Sequence, residues 1–404
     1  MLYLAAVVRQ SGGGEVEFFD MSGCATEDQI QAQLDRIPPA GLYGIGVLCT
    51  NHEYAKRVVA RIRQVQPEAQ VVLGGPNPSA LPAETLAGTG ADAVVVGEGE
   101  DAFVECAARV SAGTAVRGVF HGTPRHDIDS YPFPARDLAD EFSYHRRLQG
   151  SPVLSVLSSR GCPHKCAYCN SVVMGGGAAV ARYRSPRNVC QEIAALRGTT
   201  RCFRFNDDCF SSRPDLPDLL AALSALEIVF RIFARVEDLT PDTCRALRQS
   251  GCAHVAIGLE SLNPENLRIL GRGPQIGHER NVQAARDAGL IVRAYFMVGL
   301  PHDSDASIER YFTAAAGLGL DEFTVYPLIP YPGTRIARNP ERFGYAITNP
   351  DFRDYVQIGV NRSSCFALRH KNFGPDDVAR WRLRAEQILL EAGARRSHDS
   401  LVAR

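Results

Sequence analysis

No stretch of these 404 residues is apolar for long enough to cross a bilayer. Charge of one sign is missing as well: 44 Lys and Arg stand against 45 Asp and Glu, for a net charge of −1. A chain without a basic excess offers no electrostatic footprint for nucleic acid or an anionic membrane. A secretory leader is lacking, because MLYLAAVVRQSGGG has no basic residue ahead of its apolar stretch and no small-residue cleavage context. There is no low-complexity tract. Nor is there a disulfide framework, since the twelve cysteines are scattered apart from one tight group. These absences, with 45% hydrophobic and 22% charged residues, describe a cytoplasmic globular protein. Its cysteines read as one metal site plus small buried apolar side chains.

What is present is an alternation of strand and helix signals. At this length two or three domains are expected. In residues 1–115, helices are expected over Leu2–Gln10, Thr26–Arg36, Tyr54–Val65, from Ala83 onward and over Asp101–Val110. Strands are expected over Glu15–Asp20, Leu42–Cys49, Val71–Leu73 and Ala93–Val96. That order implies a doubly wound parallel sheet. Residues 116–150, with TPRHDIDSYPFPARD, read as a linker. Six further strands are expected in 151–335, at Val153–Ser158, Cys202–Asn206, Val229–Ala234, His254–Leu259, Ile291–Val298 and Glu322–Leu328. Intervening helices at Arg187–Leu196, Asp215–Ala225, Pro241–Gln249, Glu279–Ala288 and Ala306–Gly317 make this a partial (β/α)6 barrel. Residues 336–404 form a C-terminal extension, with a helix over Pro375–Ala392 expected to cover an open end of the barrel.

The tight group is SSRGCPHKCAYCN, which places Cys162, Cys166 and Cys169 directly after the first of those six strands. A structural zinc site normally has four protein ligands, and no fourth cysteine or second CxxC pair stands nearby. His164 lies inside the loop, where adjacent ligands would strain a tetrahedron. Three thiolates suit a [4Fe–4S] cluster with one iron left open for another ligand.

The CxxxCxxC spacing, with the aromatic Tyr168 before its last cysteine, resembles the signature of the radical S-adenosylmethionine (SAM) superfamily. FNDDCF at 205–210, HVAIGLES with Glu260, FMVGLP with Gly299 and Pro301, and YPLIPYPGT with Pro332 and Gly333 follow in the order of one subgroup. That subgroup carries a cobalamin (B12)-binding-like domain ahead of the barrel. The resemblance covers roughly 150–335. It implies that the open iron chelates SAM, and that reductive cleavage leaves a 5′-deoxyadenosyl radical aimed at one C–H bond of a small-molecule substrate. It also implies an electron donor such as flavodoxin or ferredoxin.

By the same resemblance, Tyr168 lies beside the adenine, and Asn206, Asp207 and Asp208 are candidates to accept from the SAM ammonium. A capping role for Asp207 or Asp208 is the alternative. Glu260 is a candidate for the ribose hydroxyls, with Arg293 on the next strand as its partner in an ion pair or as a further cofactor contact. Gly299 and Pro301 shape the turn under the adenine. Tyr326 and Tyr331 are expected at the mouth, contacting substrate, relaying a hydrogen atom or forming wall. Strand carboxyl ends are where barrels place such sites. Arg184 reads equally as a family turn residue or a helix-entry residue.

Residues 74–103 (GGPNPSALPAETLAGTGADAVVVGEGEDAF) resemble the cobalamin-binding domain, which puts Gly74, Gly75, Pro76 and Glu98 near the corrin or its tail. A doubly wound sheet needs glycine turns in any case. No Asp-x-His-x-x-Gly loop supplies a histidine to cobalt, and Leu2–Gln10 matches the first helix of that domain without the strand that precedes it. Cobalamin therefore stays open. With it, the reaction is methyl transfer to carbon. With a vestigial domain, it is radical dehydration or epimerisation of a sugar-like, aminoglycoside-type substrate. A non-catalytic metal-binding scaffold is the third reading. The absence of a second cysteine cluster points away from peptide substrates. The Ala-, Arg- and Gly-rich composition suits natural-product (antibiotic) biosynthesis.

Overall fold

The structure is a computed structural model that describes residues 1–397 except 22, 25, 141–145, 274–276, 350, 353–354 and 356–365. Cys365 and His145 lie outside the described residues. Among those described, no helix is long and apolar enough to cross a membrane.

The amino-terminal part is built on four parallel strands, β1 (Leu42–Gly46), β2 (Gln70–Gly74), β3 (Ala93–Val96) and β4 (Gly118–His121), side by side in chain order. Alternation along β2 and β3 divides their side chains between two faces. Val71, Leu73 and Val94 pack with Val59 and Ile62 of the helix His52–Val65. Val72, Ala93 and Val95 pack with Ala102 and Cys106 of the helix Glu100–Ser111. Helices on both faces make this the expected doubly wound sheet.

Two expectations fail here. Residues 15–20 alternate like a strand but form none: among the described residues, nothing pairs with the outer edge of β1. The stretch 116–150 is more than a linker: β4 pairs with β3 along its whole length, from Ala93 opposite Gly118 to Val96 opposite His121.

The second part contains seven parallel strands: β5 (Leu154–Val156), β6 (Cys202–Phe205), β7 (Val229–Ala234), β8 (Cys252–Glu260), β9 (Ile291–Val298), β10 (Glu322–Pro327) and β11 (Arg395–Arg396). Their spatial order is β5 through β11 without interruption. Helix starts recur as a cap followed by proline. Ser185–Pro186, Thr240–Pro241 and Asn263–Pro264 each use the cap side chain to accept from a backbone N–H one turn in, and proline supplies a preset φ where its missing donor costs nothing. The outward residues Phe203, Phe230, Ile232, Val255, Ile257, Val292 and Phe323 form one core with helix residues such as Ile193, Leu219, Leu247 and Val282.

The carboxyl-terminal segment is not an end cover. The helix Pro375–Glu391 packs along Asp305–Ala316 and against β10, then returns the chain as β11 beside β10. It thus holds the place of a sixth barrel helix, on the side wall. Val378 from this helix fills the space that a Cβ at Gly299 would need, 3.0 Å away.

Candidate active site

Cys162, Cys166 and Cys169 lie on the loop after the hairpin strand Ser159–Gly161, which follows β5 at the carboxyl end of the barrel. All three are partly exposed at the surface of this loop. Burial pushes the Cys162 thiol up to about 12 and the Cys169 thiol up to about 11. Cys166 is raised by burial too, with Arg272 and Arg235 acting in the opposite sense. Among the described residues, no three His, Cys, Asp or Glu side chains are gathered as ligands of a single ion, the arrangement that zinc would need. A four-iron cluster takes its thiolates on separate irons. The donor set of three thiols on one loop, with cationic neighbours, fits it.

The polar residues after β6 divide sharply. Asp207 is 1% exposed and wholly engaged: it accepts from the Ser158 backbone N–H at 3.0 Å, from the Ser158 hydroxyl at 2.9 Å and from the Ser159 hydroxyl. It therefore ties β6 to the segment leading into the cysteine loop, and its proposed contact with SAM is corrected to a structural one. Asp208 accepts from Ser171 at 2.6 Å and acts electrostatically on Cys162 and Cys169. Asn206 keeps a buried Oδ1 without a hydrogen-bond partner. An unpartnered acceptor beside the cysteine loop suits an ammonium donor.

Glu260 ends β8 with φ +59, a left-handed conformation rare outside glycine. Its partner is Arg272, at 3.3 Å, and not Arg293. Arg272 also bonds the Gly258 carbonyl at 2.7 Å and approaches the Tyr168 hydroxyl at 3.5 Å. Burial raises both the Glu260 carboxyl and the Tyr168 phenol. Backbone strain of this kind persists where the surroundings over-determine it, commonly at functional sites. Arg293 instead binds Glu322 at 2.7 Å, and His254 meets the same carboxylate at 3.2 Å. This buried trio sits low on the inner wall, so the expected ion pair of Arg293 with Glu260 is replaced by one with Glu322. Gly299, at φ +81, accepts from the Tyr345 hydroxyl at 2.6 Å and makes room for Val378. Pro301 is buried in the turn that follows. Arg184 is a helix-entry residue, bonded to Asn188, to the Leu157 carbonyl and to Glu192 at 2.5 Å.

The two parts meet at this end of the barrel. Glu98 is engaged across the seam. It pairs with Arg160 at 3.0 Å and with Arg182, both on the hairpin Ser159–Gly161/Ala181–Tyr183 beside the cysteine loop, and Glu100 holds Arg160 at 2.7 Å. Gly333, at φ +79, is packed so closely that a Cβ would lie 2.9 Å from Ala80 and 3.0 Å from Val173. Between the parts lies a cavity of about 230 Å³. Leu48, Cys49 and Thr50 after β1, and Pro76 and Asn77 after β2, line one side; Asn170, Tyr331 and Pro332 line the other. Asn77 is 2% exposed, and both its Oδ1 and that of Asn170 are buried without partners. Gly75, at φ +107, lets the chain turn where a Cβ would come within 2.9 Å of the Val47 carbonyl. Gly74 ends β2 with its carbonyl bonded to Val47. Tyr331 lines this cavity. Tyr326 stands deeper, stacked on Tyr295 at 5.9 Å. Arg272, Asn77 and Asn170 escaped the sequence reading, since none belongs to a spaced motif.

Two family models match the chain: the radical SAM superfamily over residues 156–315 and the B12 binding domain over residues 1–107. Among curated relatives, an uncharacterized methyltransferase of Pyrococcus horikoshii is 29% identical over 377 residues, covering 86% of this chain and 78% of its own. A bacteriochlorophyllide d C-12(1)-methyltransferase of Chlorobaculum tepidum is 26% identical, over 65% of this chain and 58% of its own. Among solved structures, the radical SAM methyltransferase TsrM of Kitasatospora setae, with tryptophan substrate and a SAM analogue bound, superposes with a TM-score of 0.67 at 18% identity. The match covers 96% of this chain and 86% of that one. The cobalamin-dependent radical enzyme OxsB, with aqua-cobalamin and SAM bound, gives 0.63 at 15% identity, over 97% and 58%. The two family matches, in this order along the chain and with the methyltransferase relative spanning both, lead to one conclusion: the chain is an enzyme of the radical SAM superfamily, in the group that carries a B12-binding domain ahead of the barrel.

Proposed function

We propose that this enzyme is a cobalamin-dependent methyltransferase acting on carbon in a small, natural-product-like molecule. One observation carries the reading. The cavity between the parts is bounded by the strand ends of the B12-binding sheet on one side and by Asn170, next to Cys169, on the other. Its two unpartnered amide oxygens, of Asn77 and Asn170, are polar groups left for a ligand to satisfy.

When bound, the cluster supplies the electron that cleaves SAM, and cobalamin supplies a methyl carrier. Every other part belongs to the chain. Cys162, Cys166 and Cys169 hold the cluster, and Asn206 accepts from the SAM ammonium. Arg272 fixes Glu260 and Tyr168 on the wall beside it. Pro76, Asn77 and Asn170, which line the cavity, would help to hold cobalamin, with Gly75 allowing the turn that places Pro76 and Asn77 there. The ion pairs of Glu98 and Glu100 keep the first domain seated over the cysteine loop. A small reducing protein of the flavodoxin or ferredoxin type delivers the electron.

The test is product analysis of anaerobically reconstituted enzyme given SAM, cobalamin and a chemical reductant. Both S-adenosylhomocysteine and 5′-deoxyadenosine are expected, and 5′-deoxyadenosine should vanish in Cys166→Ala, because its formation needs the cluster's electron. Deoxyadenosine alone would favour dehydration or epimerisation. Neither product would leave only a scaffold.

A further inference from the structure

Three side chains on the inner wall of the barrel have no place in the chemistry above. Strand alternation turns Phe203, Phe205, Phe230, Ile232, Val255 and Ile257 toward the helices. The same alternation turns Arg204, Arg231 and His254 inward. Parallel pairing then sets Arg204 opposite Arg231, and Arg231 opposite His254. Like charges directly across neighbouring strands repel. Water does not screen them well, since Arg231 is 7% exposed. The Nε atoms of Arg204 and Arg231 and the Nδ1 of His254 are all buried without a partner.

Neutral rings surround this pair. The guanidinium carbons lie 5.7 Å (Arg204) and 5.2 Å (Arg231) from the centre of Phe233, one step nearer the mouth. The Tyr295 hydroxyl reaches Arg231. Among the described residues, no carboxylate bonds either guanidinium. The nearby Glu322 already serves Arg293 and His254. Burial and the neighbouring Arg231, Arg146 and Arg293 push Arg204 down to about 10. Buried cations held without a counter-charge are costly, and breaking even requires an anion. Paired guanidiniums match the geometry of a carboxylate, which can take two parallel N–H donors.

We propose that Arg204 and Arg231, with His254 beside them, form an oxyanion subsite in the barrel lumen that takes a carboxylate of the small-molecule substrate. The proposal rests on reading the barrel as the substrate chamber. Above the arginines, Phe233, Tyr295 and Tyr326 form a continuous stack, with ring centres 6.2 Å and 5.9 Å apart. This wall suits a flat apolar body. A substrate anchored by its carboxylate against the arginines presents its far end to the mouth, where the cysteine loop stands.

The experiment is calorimetric binding of benzoate and of its neutral isostere benzamide to the cluster-loaded full chain, without reductant. Benzoate should bind wild type at least ten-fold more tightly. Arg204→Gln and Arg231→Gln should each erase that preference, Arg231→Lys should keep part of it, and the exposed Arg201→Gln should leave it intact. The two glutamine variants should also show a higher Tm than wild type without ligand, because each removes an uncompensated buried charge; this also reports that they fold. Equal binding of benzoate and benzamide, or a preference surviving in Arg231→Gln, would overturn the subsite. Tighter binding of inorganic phosphate than of benzoate would overturn the carboxylate. Binding needs no turnover, so these failures are separable from any failure of methyl transfer.

Discussion

Asn206 and Asp207 follow one another after β6, yet one keeps an unpartnered oxygen while the other engages Ser158 and Ser159. Their variants should separate accordingly. Asn206→Ala should weaken SAM binding by about 1 kcal/mol, the ordinary net worth of one hydrogen bond, with Tm unchanged. Asp207→Asn should instead lower stability by about 1–3 kcal/mol, because buried donors lose their acceptor, and should leave SAM affinity near wild type. Equilibrium binding and thermal melts measure the two effects. The sequence shows both residues as polar and at a strand end, which is why both read as cofactor contacts. What divides them is the position of the Ser158 backbone N–H, 49 residues away. The same limit hid Arg272, which no spacing rule connects to Glu260 12 residues earlier. The three cysteines were legible because their ligand spacing is local.

Elements were read well where pairing and pattern agree. The bounds of β7 and β9 coincide with the runs Val229–Ala234 and Ile291–Val298, each buried on the helix side and closed by a turn. Residues 15–20 show the opposite case. Alternation makes a segment amphipathic, but a strand also needs a neighbour, and that is a non-local fact. The last helix was legible as a helix. Its role as the sixth barrel helix was not, since the strand it leads into is only Arg395–Arg396. Within the barrel, β9 and β10 are joined by Arg293 and Glu322, with His254 of β8 on the same carboxylate. Glu322→Gln takes away the carboxylate that Arg293 and His254 share and should cost roughly 1–3 kcal/mol. Replacing both, as Glu322→Leu with Arg293→Met, should recover most of that loss in a denaturant titration. A single variant as stable as wild type would mean that the trio does not hold the strands.

At the scale of the molecule, function depends on two sheets meeting with their carboxyl ends face to face. The seam is ionic where Glu98 and Glu100 meet Arg160 and Arg182, and apolar where Cys49 packs with Ile329, Tyr355 and Ala367. Arg160→Met should loosen the seam by roughly 1–3 kcal/mol, the range for hydrogen bonds to charged groups. Faster proteolysis in the connecting segment, with an intact cluster, would report it. Nothing local in the chain marks this role, because a glutamate in a glycine turn looks the same whether it meets a ligand or another domain. The central claim is the proposal that cobalamin binds at the seam where the strand ends of the two sheets meet, with the cavity of about 230 Å³ taking only part of it. The most direct measurement is retention: anaerobic purification, cluster reconstitution, incubation with hydroxocobalamin, desalting and visible absorbance. Near one cobalamin per chain, falling in Asn77→Leu and Asn170→Leu, is the predicted result. An intact, SAM-cleaving cluster with no retained cobalamin would contradict it.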